Sequence, residues 1–413
     1  MQGLAVWLYG AAVAMIERHR TQLRLTYTDE ALRKYEAGTP LLSVALPLTP
    51  SHYPNSVVRS FLDGLLPEGD VRRLIAAELD VRESDTYSLI EALGRECAGA
   101  LVIQPVDWPA PPPPTTLRAE PMSQRELEER IRSLKDAPLG VDARVRLSLA
   151  GVQEKLVLTR MPDGSWGRPV DGTPSTHIFK PETAAYPATV ANEAFCMRVA
   201  KRMGLQVANV ETATIGGREV LIVERYDRVV HPDGNVERIH QEDFCQALGI
   251  HPTKKYQADG GPSLRQVAAI LRASADTDSL ERLLRAVTFN VIIGNADAHG
   301  KNFSIMHDEL GVLRFAPLYD LISTLLYATT TREMAMFIDD VRRIDHVAGE
   351  RLVNEASSWG LSKRRANEIV QDMVQRAPSS ADAIQNDIPN MPPELRTVFD
   401  NQLKALRTMS STH

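Results

Sequence analysis

The stretch Gly294–Ser304, G-N-A-D-A-H-G-K-N-F-S, constrains this chain more than any other. It follows an apolar run in which Leu280, Leu283, Leu284, Val287 and Val291 recur at i, i+3, i+4, i+7 and i+11. That period predicts a helix with one buried face. The helix delivers its C-terminal end into a short polar loop that offers Asp297, His299, Lys301 and Asn302 within six residues. Asn302 lies five positions after Asp297.

Protein-kinase catalytic loops place a base Asp and a metal-binding Asn at the same offset. One side chain meets the hydroxyl being phosphorylated, and the other holds a metal on the ATP phosphates. Such a site also needs a second metal-binding carboxylate downstream. Phe315–Ser323, F-A-P-L-Y-D-L-I-S, supplies Asp320 in a turn after a short apolar stretch. A lone Asp in a turn is ordinarily a cap or turn residue; Asp297, Asn302 and Asp320 in this order point to chemistry.

A phosphate cover, a phosphate-binding lysine and an adenine slot complete the requirement. Ser148–Lys155, S-L-A-G-V-Q-E-K, has one glycine and by itself reads more readily as a hairpin turn. Lys180 ends a predicted strand, and a helix bearing Glu193 follows. A buried ammonium there needs phosphate or carboxylate oxygen as a partner. Val223–Arg228, V-E-R-Y-D-R, ends a strand where strands give way to helices, the place for a hinge. Glu224, Tyr226 and Gln241 are the adenine-side candidates, although each alone reads as a surface or cap residue. His299 braces the loop more readily than it ligates zinc, since a lone His is no zinc site. Lys301 reads either as a neutraliser of transferred phosphate or as a solvated loop lysine.

The order of elements sets the frame. Strands are expected at Leu4–Tyr9, Ala12–Glu17, Leu23–Tyr27 and Cys97–Ile103, with a further apolar run at Leu41–Leu46. Helices are expected at Thr28–Tyr35, Pro54–Leu65, Val71–Leu79 and Ser84–Leu93. Trp108–Thr116, W-P-A-P-P-P-P-T-T, is expected to be an extended spacer. Beyond it, Ser123 with Glu126 and Ser263 with Gln266 form capping boxes. Strands are expected within Arg146–Leu158 and at Ser175–Lys180, Gln206–Ile215 and Glu219–Arg225, around a helix Thr189–Met203 closed by Gly204. From Gln241 onward the chain is mostly helical. Strands first and helices second imply an α+β fold with two lobes, and a cleft between lobes is a common place for a ligand. The expected divisions are 1–108, a linker at 109–116, a strand-rich lobe at 117–240, a helical lobe at 241–407 and a tail at 408–413.

A chain of 413 residues has room for two or three domains. Its net charge of −6 argues against a broad nucleic-acid surface. Cys97, Cys196 and Cys245 are too few and too widely spaced for a disulfide framework or a metal motif, and fit reduced thiols in the cytoplasm. Leu4–Ile16 has the length of a signal-peptide core, but no basic residue precedes it and Gly10 interrupts it. Two strands joined near Gly10 are expected instead, and no apolar stretch is long enough to span a membrane.

Taken in order, S-L-A-G-V-Q-E-K, H-I-F-K-P, N-E-A-F-C, V-E-R-Y-D-R, H-Q-E-D-F-C-Q-A-L-G, N-A-D-A-H-G-K-N-F-S and P-L-Y-D-L-I-S resemble the successive motifs of the HipA family. The N-terminal L-P-E-G-D and C-A-G-A resemble that family's N-terminal subdomain. The family comprises serine/threonine-protein kinase toxins of bacterial HipBA toxin–antitoxin modules, with a bilobal protein-kinase-like fold. The resemblance implies ATP and Mg2+ as cofactors and Asp297 as catalytic base, with Lys301 beside it. It implies Asn302 and Asp320 as metal ligands. Lys180 and Lys155 would contact ATP, under a loop containing Ala150, Gly151, Val152 and Gln153. Glu224 and Tyr226 would lie at the hinge, and Gln241, His299 and Tyr319 near the nucleotide. Ser148 matches the serine that family members autophosphorylate with loss of ATP binding. The implied substrate is a protein serine, in the best-known case on glutamyl-tRNA synthetase, an aminoacyl-tRNA synthetase. The implied partner is a HipB-like helix-turn-helix antitoxin, through which DNA is mainly contacted. A non-catalytic co-repressor docking on an antitoxin–DNA complex is the alternative. The chain departs from ordinary protein kinases in lacking a glycine-rich triplet loop and in following Asp320 with Leu-Ile rather than Phe-Gly.

Overall fold

Two apolar runs, Leu4–Leu8 and Ala11–Ile16, and a Tyr9-Gly10 corner build the first hairpin. Both corner residues have positive φ, 51° and 81°, the demand of a tight turn matched to strand twist. It joins β1 (Gly3–Leu8) to β2 (Ala11–His19), and β3 (Gln22–Tyr27) follows. Thr28 then caps α1 (Asp29–Lys34) by accepting the Ala31 N–H. Next come α2 (Asn55–Leu65), α3 (Gly69–Glu78), α4 (Thr86–Leu93) and β4 (Val102–Pro105). The antiparallel sheet runs β3-β2-β1-β4. Its inner face, with Leu4, Val6, Ile16 and Leu25, shares one core with Phe61, Leu62 and Leu65 of α2 and with Leu89, Ile90 and Leu93 of α4.

The computed structural model describes residues 3–111, 119–134, 154–170, 172–232, 235–273 and 278–407. The described part of the chain gathers into two compact units. The first holds Met1–Pro181, Ala213–Thr253 and Met306–Val312; the second holds Glu182–Thr212, Lys254–Ile305 and Leu313–His413.

The first unit also carries most of a second sheet. Its strands are β5 (Ala119–Pro121), β6 (Leu156–Arg160), β7 (Trp166–Pro169), β8 (His177–Pro181), β9 (Val210–Ile215) and β10 (Arg218–Glu224), in the order β5-β7-β6-β8-β10-β9. The capping box expected at Ser123 and Glu126 is present and starts α5 (Gln124–Ser133). Leu127 and Ile131 of α5, with Leu134, cover Leu156, Leu158, Phe179, Val220 and Ile222.

The second unit is mainly helical: α6 (Thr189–Arg202), α7 (Leu264–Ala273), α8 (Ser279–Ile293), α9 (Gly349–Ser358), α10 (Lys363–Ile384) and α11 (Pro393–Arg407). The loop-delivering helix α8 lies at its centre, packed against α7, α9, α10 and α11. Its described side chains from Ala286 to Ile293 are all buried.

Two strand expectations shift, and the further apolar run, Leu41–Leu46, is mostly buried and forms only an isolated Ser43–Leu46 bridge. Its backbone is used elsewhere: Leu42 and Pro40 carbonyls contact His240 and His307, and Val44 N–H donates to Glu242. The strand expected at Cys97–Ile103 starts only at Val102, and the one expected at Gln206 starts at Val210. Residues 206–208 instead bridge Leu318 through two backbone hydrogen bonds.

Candidate active site

The loop after α8 is held at its root. Asn295 N–H donates to the Asn290 carbonyl and Gly294 N–H to that of Val291, with Gly294 at φ 68°. This pair of bonds around a left-handed residue is a Schellman ending, which satisfies helix carbonyls and turns the chain sharply. A Cβ on Gly294 would sit 2.9 Å from Val398 Cγ1, so close packing as well as φ favours glycine. Asn295 Nδ2 donates to Asn290 Oδ1 at 2.8 Å, and Asn295 Oδ1 accepts the Asp297 N–H at 3.1 Å. Thr324 Oγ1 accepts the Ala296 N–H, and the Ala335 N–H donates to the Ala296 carbonyl, both near 2.9 Å. Two buried asparagines and a threonine therefore fix the backbone that carries Asp297.

Asp297 is solvent-accessible on one side and accepts a hydrogen bond from Tyr256 Oη at 2.9 Å. The protein mass around it pushes its pKa up, an effect that Tyr256 and Lys255 oppose and Asp320 reinforces. Asn302 Nδ2 donates to Asp320 Oδ2 at 3.2 Å, so residues 18 positions apart converge. Asp320 sits at φ 58°, a left-handed conformation that Asp tolerates better than most residues. Tyr319 Oη bonds both the Lys301 carbonyl and Ser304 Oγ at 2.7 Å, tying the two motifs together. His299 is buried with its ring edge-on to Tyr256, and Lys301 is only 8% exposed, so it is not a solvated loop lysine.

The carboxylate of Asp320 and the carboxamide oxygen of Asn302 are hard oxygen donors of the kind magnesium takes. Among the described residues no group of three or more His, Cys, Asp or Glu is arranged to hold a metal ion by itself. Magnesium is ordinarily held by one or two carboxylates together with substrate phosphates.

In the first unit, β8 lies between β6 and β10. The pairing of Leu156 with Phe179, continued by one residue, sets Lys155 opposite Lys180. Lys155 is buried and Lys180 half-buried. Glu224, at the end of β10, is exposed, and Tyr226 Oη donates to Gln241 Oε1. Ser148, Ala150, Gly151, Val152 and Gln153 lie outside the described residues.

Beneath Tyr226 lies a charge cluster that the sequence reading did not single out. Arg225 reaches Glu96 and Asp227, each at 2.8 Å; Arg228 reaches Glu96 at 3.0 Å and Asp227 at 3.2 Å; Arg238 reaches Glu96. Asp227 Oδ2 also accepts from Gly99 N–H at 2.7 Å and from Gln241 Nε2 at 3.1 Å. The alternation R-Y-D-R was its one available signal. Tyr256 and the Asn290–Asn295 pair were likewise missed: Tyr256 sits 41 residues before its carboxylate, and an asparagine on an apolar helix with another just past its end carries no local signature.

Residues 4–104 match the HipA N-terminal domain, and residues 147–381 match the HipA-like C-terminal domain. The chain belongs to the HipA family. The protein named "Putative kinase Y4mE" of Sinorhizobium fredii is 42% identical over 385 residues, covering 90% of each chain. The serine/threonine-protein kinase toxin HipA of Shewanella oneidensis is 33% identical over 373 residues, 87% of this chain and 83% of that protein. A solved complex of Shewanella oneidensis HipA with HipB and operator DNA superposes with a TM-score of 0.82 at 27% identity, covering 97% of this chain and 95% of that one. The fold is thus the α+β kinase-like fold of HipA, and the enzyme class is kinase.

Proposed function

We propose that this HipA-family kinase is the toxin of a type II toxin–antitoxin pair. It transfers the γ-phosphoryl group of ATP, with magnesium, to a serine or threonine of a protein. Asp297 receives the hydroxyl proton during in-line transfer. Asn302 and Asp320 hold magnesium, which when bound offsets phosphate charge. Lys155, Lys180 and the loop from Ala150 to Gln153 take the phosphates, Lys301 steadies the transferred group, and Glu224, Tyr226, Gln241, His299 and Tyr319 take the nucleoside. The proposed substrate is a translation protein such as an aminoacyl-tRNA synthetase, with glutamyl-tRNA synthetase the first to assay. A HipB-like antitoxin is the proposed partner and the main contact to DNA, in the cytoplasm; the Shewanella relative was solved with both HipB and operator DNA.

The observation that carries this reading is the 3.2 Å contact of Asn302 with Asp320, in a unit whose loop also presents Asp297. The test is intact mass after incubation with ATP and magnesium, followed by peptide mapping. A gain of one phosphate at Ser148 is expected. Asp297→Asn should bind nucleotide and gain none. Undiminished transfer by that variant refutes the role of Asp297. No gain by unmodified wild type that binds ATP refutes self-phosphorylation.

A further inference from the structure

No step assigned above uses Tyr256, yet its placement is built. The Asp259 and Gly261 N–H groups both donate to the Tyr256 carbonyl, at 3.0 and 2.9 Å, closing a tight loop. A Cβ on Gly261 would lie 2.2 Å from the Lys254 carbonyl oxygen and 2.6 Å from that of Tyr256, so the loop accepts only glycine there. The catalytic loop presses on the same loop: a Cβ on Gly300 would lie 2.4 Å from Pro262 Cγ. The Tyr256 ring stands edge-on to the His299 imidazole, with centroids 5.6 Å apart at 84°. Its hydroxyl is thereby aimed at Asp297 Oδ1, 2.9 Å away.

A hydroxyl donating to the base at about 2.6–3.2 Å is the contact that an acceptor serine must make before transfer. The phenol and a serine cannot both occupy that place on Oδ1. We propose that Tyr256 is an internal place-holder for the acceptor hydroxyl. While no protein acceptor is bound it occupies Asp297 Oδ1 and keeps water from that oxygen; an acceptor hydroxyl displaces it. This rests on the kinase reading of Asp297. The reaction it guards against is hydrolysis. Water would add to the γ-phosphorus, the bond from that phosphorus to the bridging oxygen of ADP would break, the proton of water would pass to Asp297, and ADP and phosphate would leave. Tyr256 is in these terms a positioning residue with a selective consequence, suppressing transfer to water over transfer to protein.

The test measures phosphate release and phosphate incorporation side by side, with ATP and magnesium and no added protein, for wild type, Tyr256→Phe and Asp297→Asn. Tyr256→Phe keeps the ring and removes the hydroxyl. It should raise phosphate release about fivefold, the factor that the net worth of one hydrogen bond corresponds to, with the KM for ATP unchanged. The rise should vanish when Asp297→Asn is added. A tyrosine that merely braced the loop would lower release and incorporation together, and that result overturns the proposal. So does unchanged release from a Tyr256→Phe protein that still incorporates phosphate. If wild type neither releases nor incorporates phosphate, and Asp297→Asn behaves identically, the kinase reading fails and the place-holder fails with it.

Discussion

Glu96 offers the sharpest perturbation of the first unit. Its carboxylate is buried and accepts from Ser175 N–H at 3.0 Å, Ser175 Oγ at 2.8 Å, Arg225 at 2.8 Å and Arg228 at 3.0 Å, with Arg238 alongside. The cluster sets three guanidinium groups against the two carboxylates of Glu96 and Asp227. Glu96→Gln keeps the shape and leaves three cations against one anion. Removing one member of a buried ion pair costs about 3–5 kcal/mol, because the partners stay desolvated and uncompensated. That is a large share of the stability of roughly 5–15 kcal/mol usual for a domain. The assay is urea unfolding followed by tryptophan fluorescence, with Trp7, Trp108 and Trp166 reporting on the first unit. Arg125→Ala serves as control, since its pair with Glu129 joins side chains 88% and 55% exposed, where solvent screening leaves an ion pair little weight. A Glu96→Gln loss no larger than that of the control would refute the reasoning.

Two further outcomes are expected. Burial alone would raise the Glu96 pKa, but Arg228, Arg238 and Arg225 overcome it and hold the group at about 2, against 4.5 ordinarily. Its folded pKa is depressed, so its stabilisation is present above about pH 4.5 and is lost as pH falls towards 2; acid unfolding of Glu96→Gln monitored by circular dichroism should lack this component. Asp320→Ala should lose the magnesium-dependent part of ATP binding in calorimetry, and affinity unchanged in the presence of magnesium would remove Asp320 from the metal site.

The sequence made much of this legible because several of its signals are local. Thr28, Ser123 with Glu126, and Ser263 with Gln266 cap their helices as the spacing predicts. Gly294 ends α8 where the apolar period ends. Asp297, Asn302 and Asp320 share one unit because a loop and a turn each announce themselves in composition, and Asn302 meets Asp320 there. What stayed hidden is non-local. The expected strand at Cys97 fails because Arg225 and Arg228 take the Cys97 carbonyl while Gly99 donates to Asp227, so that segment serves the charge cluster instead of a sheet. Nothing near Glu96 in sequence names three arginines found 129 to 142 residues later. Tyr256 reads as one aromatic in a Gly-rich loop until the fold brings Asp297 to its hydroxyl.

The way the second unit is collected along the chain bears on how it is made. Its first piece, α6, is buried along almost its whole length, with Phe195 edge-on to Phe399 at 6.0 Å. Yet α10, against which it packs, begins about 160 residues after α6 ends. At a synthesis rate of roughly 5–20 residues per second, α6 spends about 8–30 seconds on the ribosome before that partner exists. During this interval Val190, Phe195, Met197 and Val199 form an apolar surface awaiting its cover. Nascent chains of this protein are thus expected to engage chaperones through α6, and slow translation beyond Arg202 lengthens that exposure.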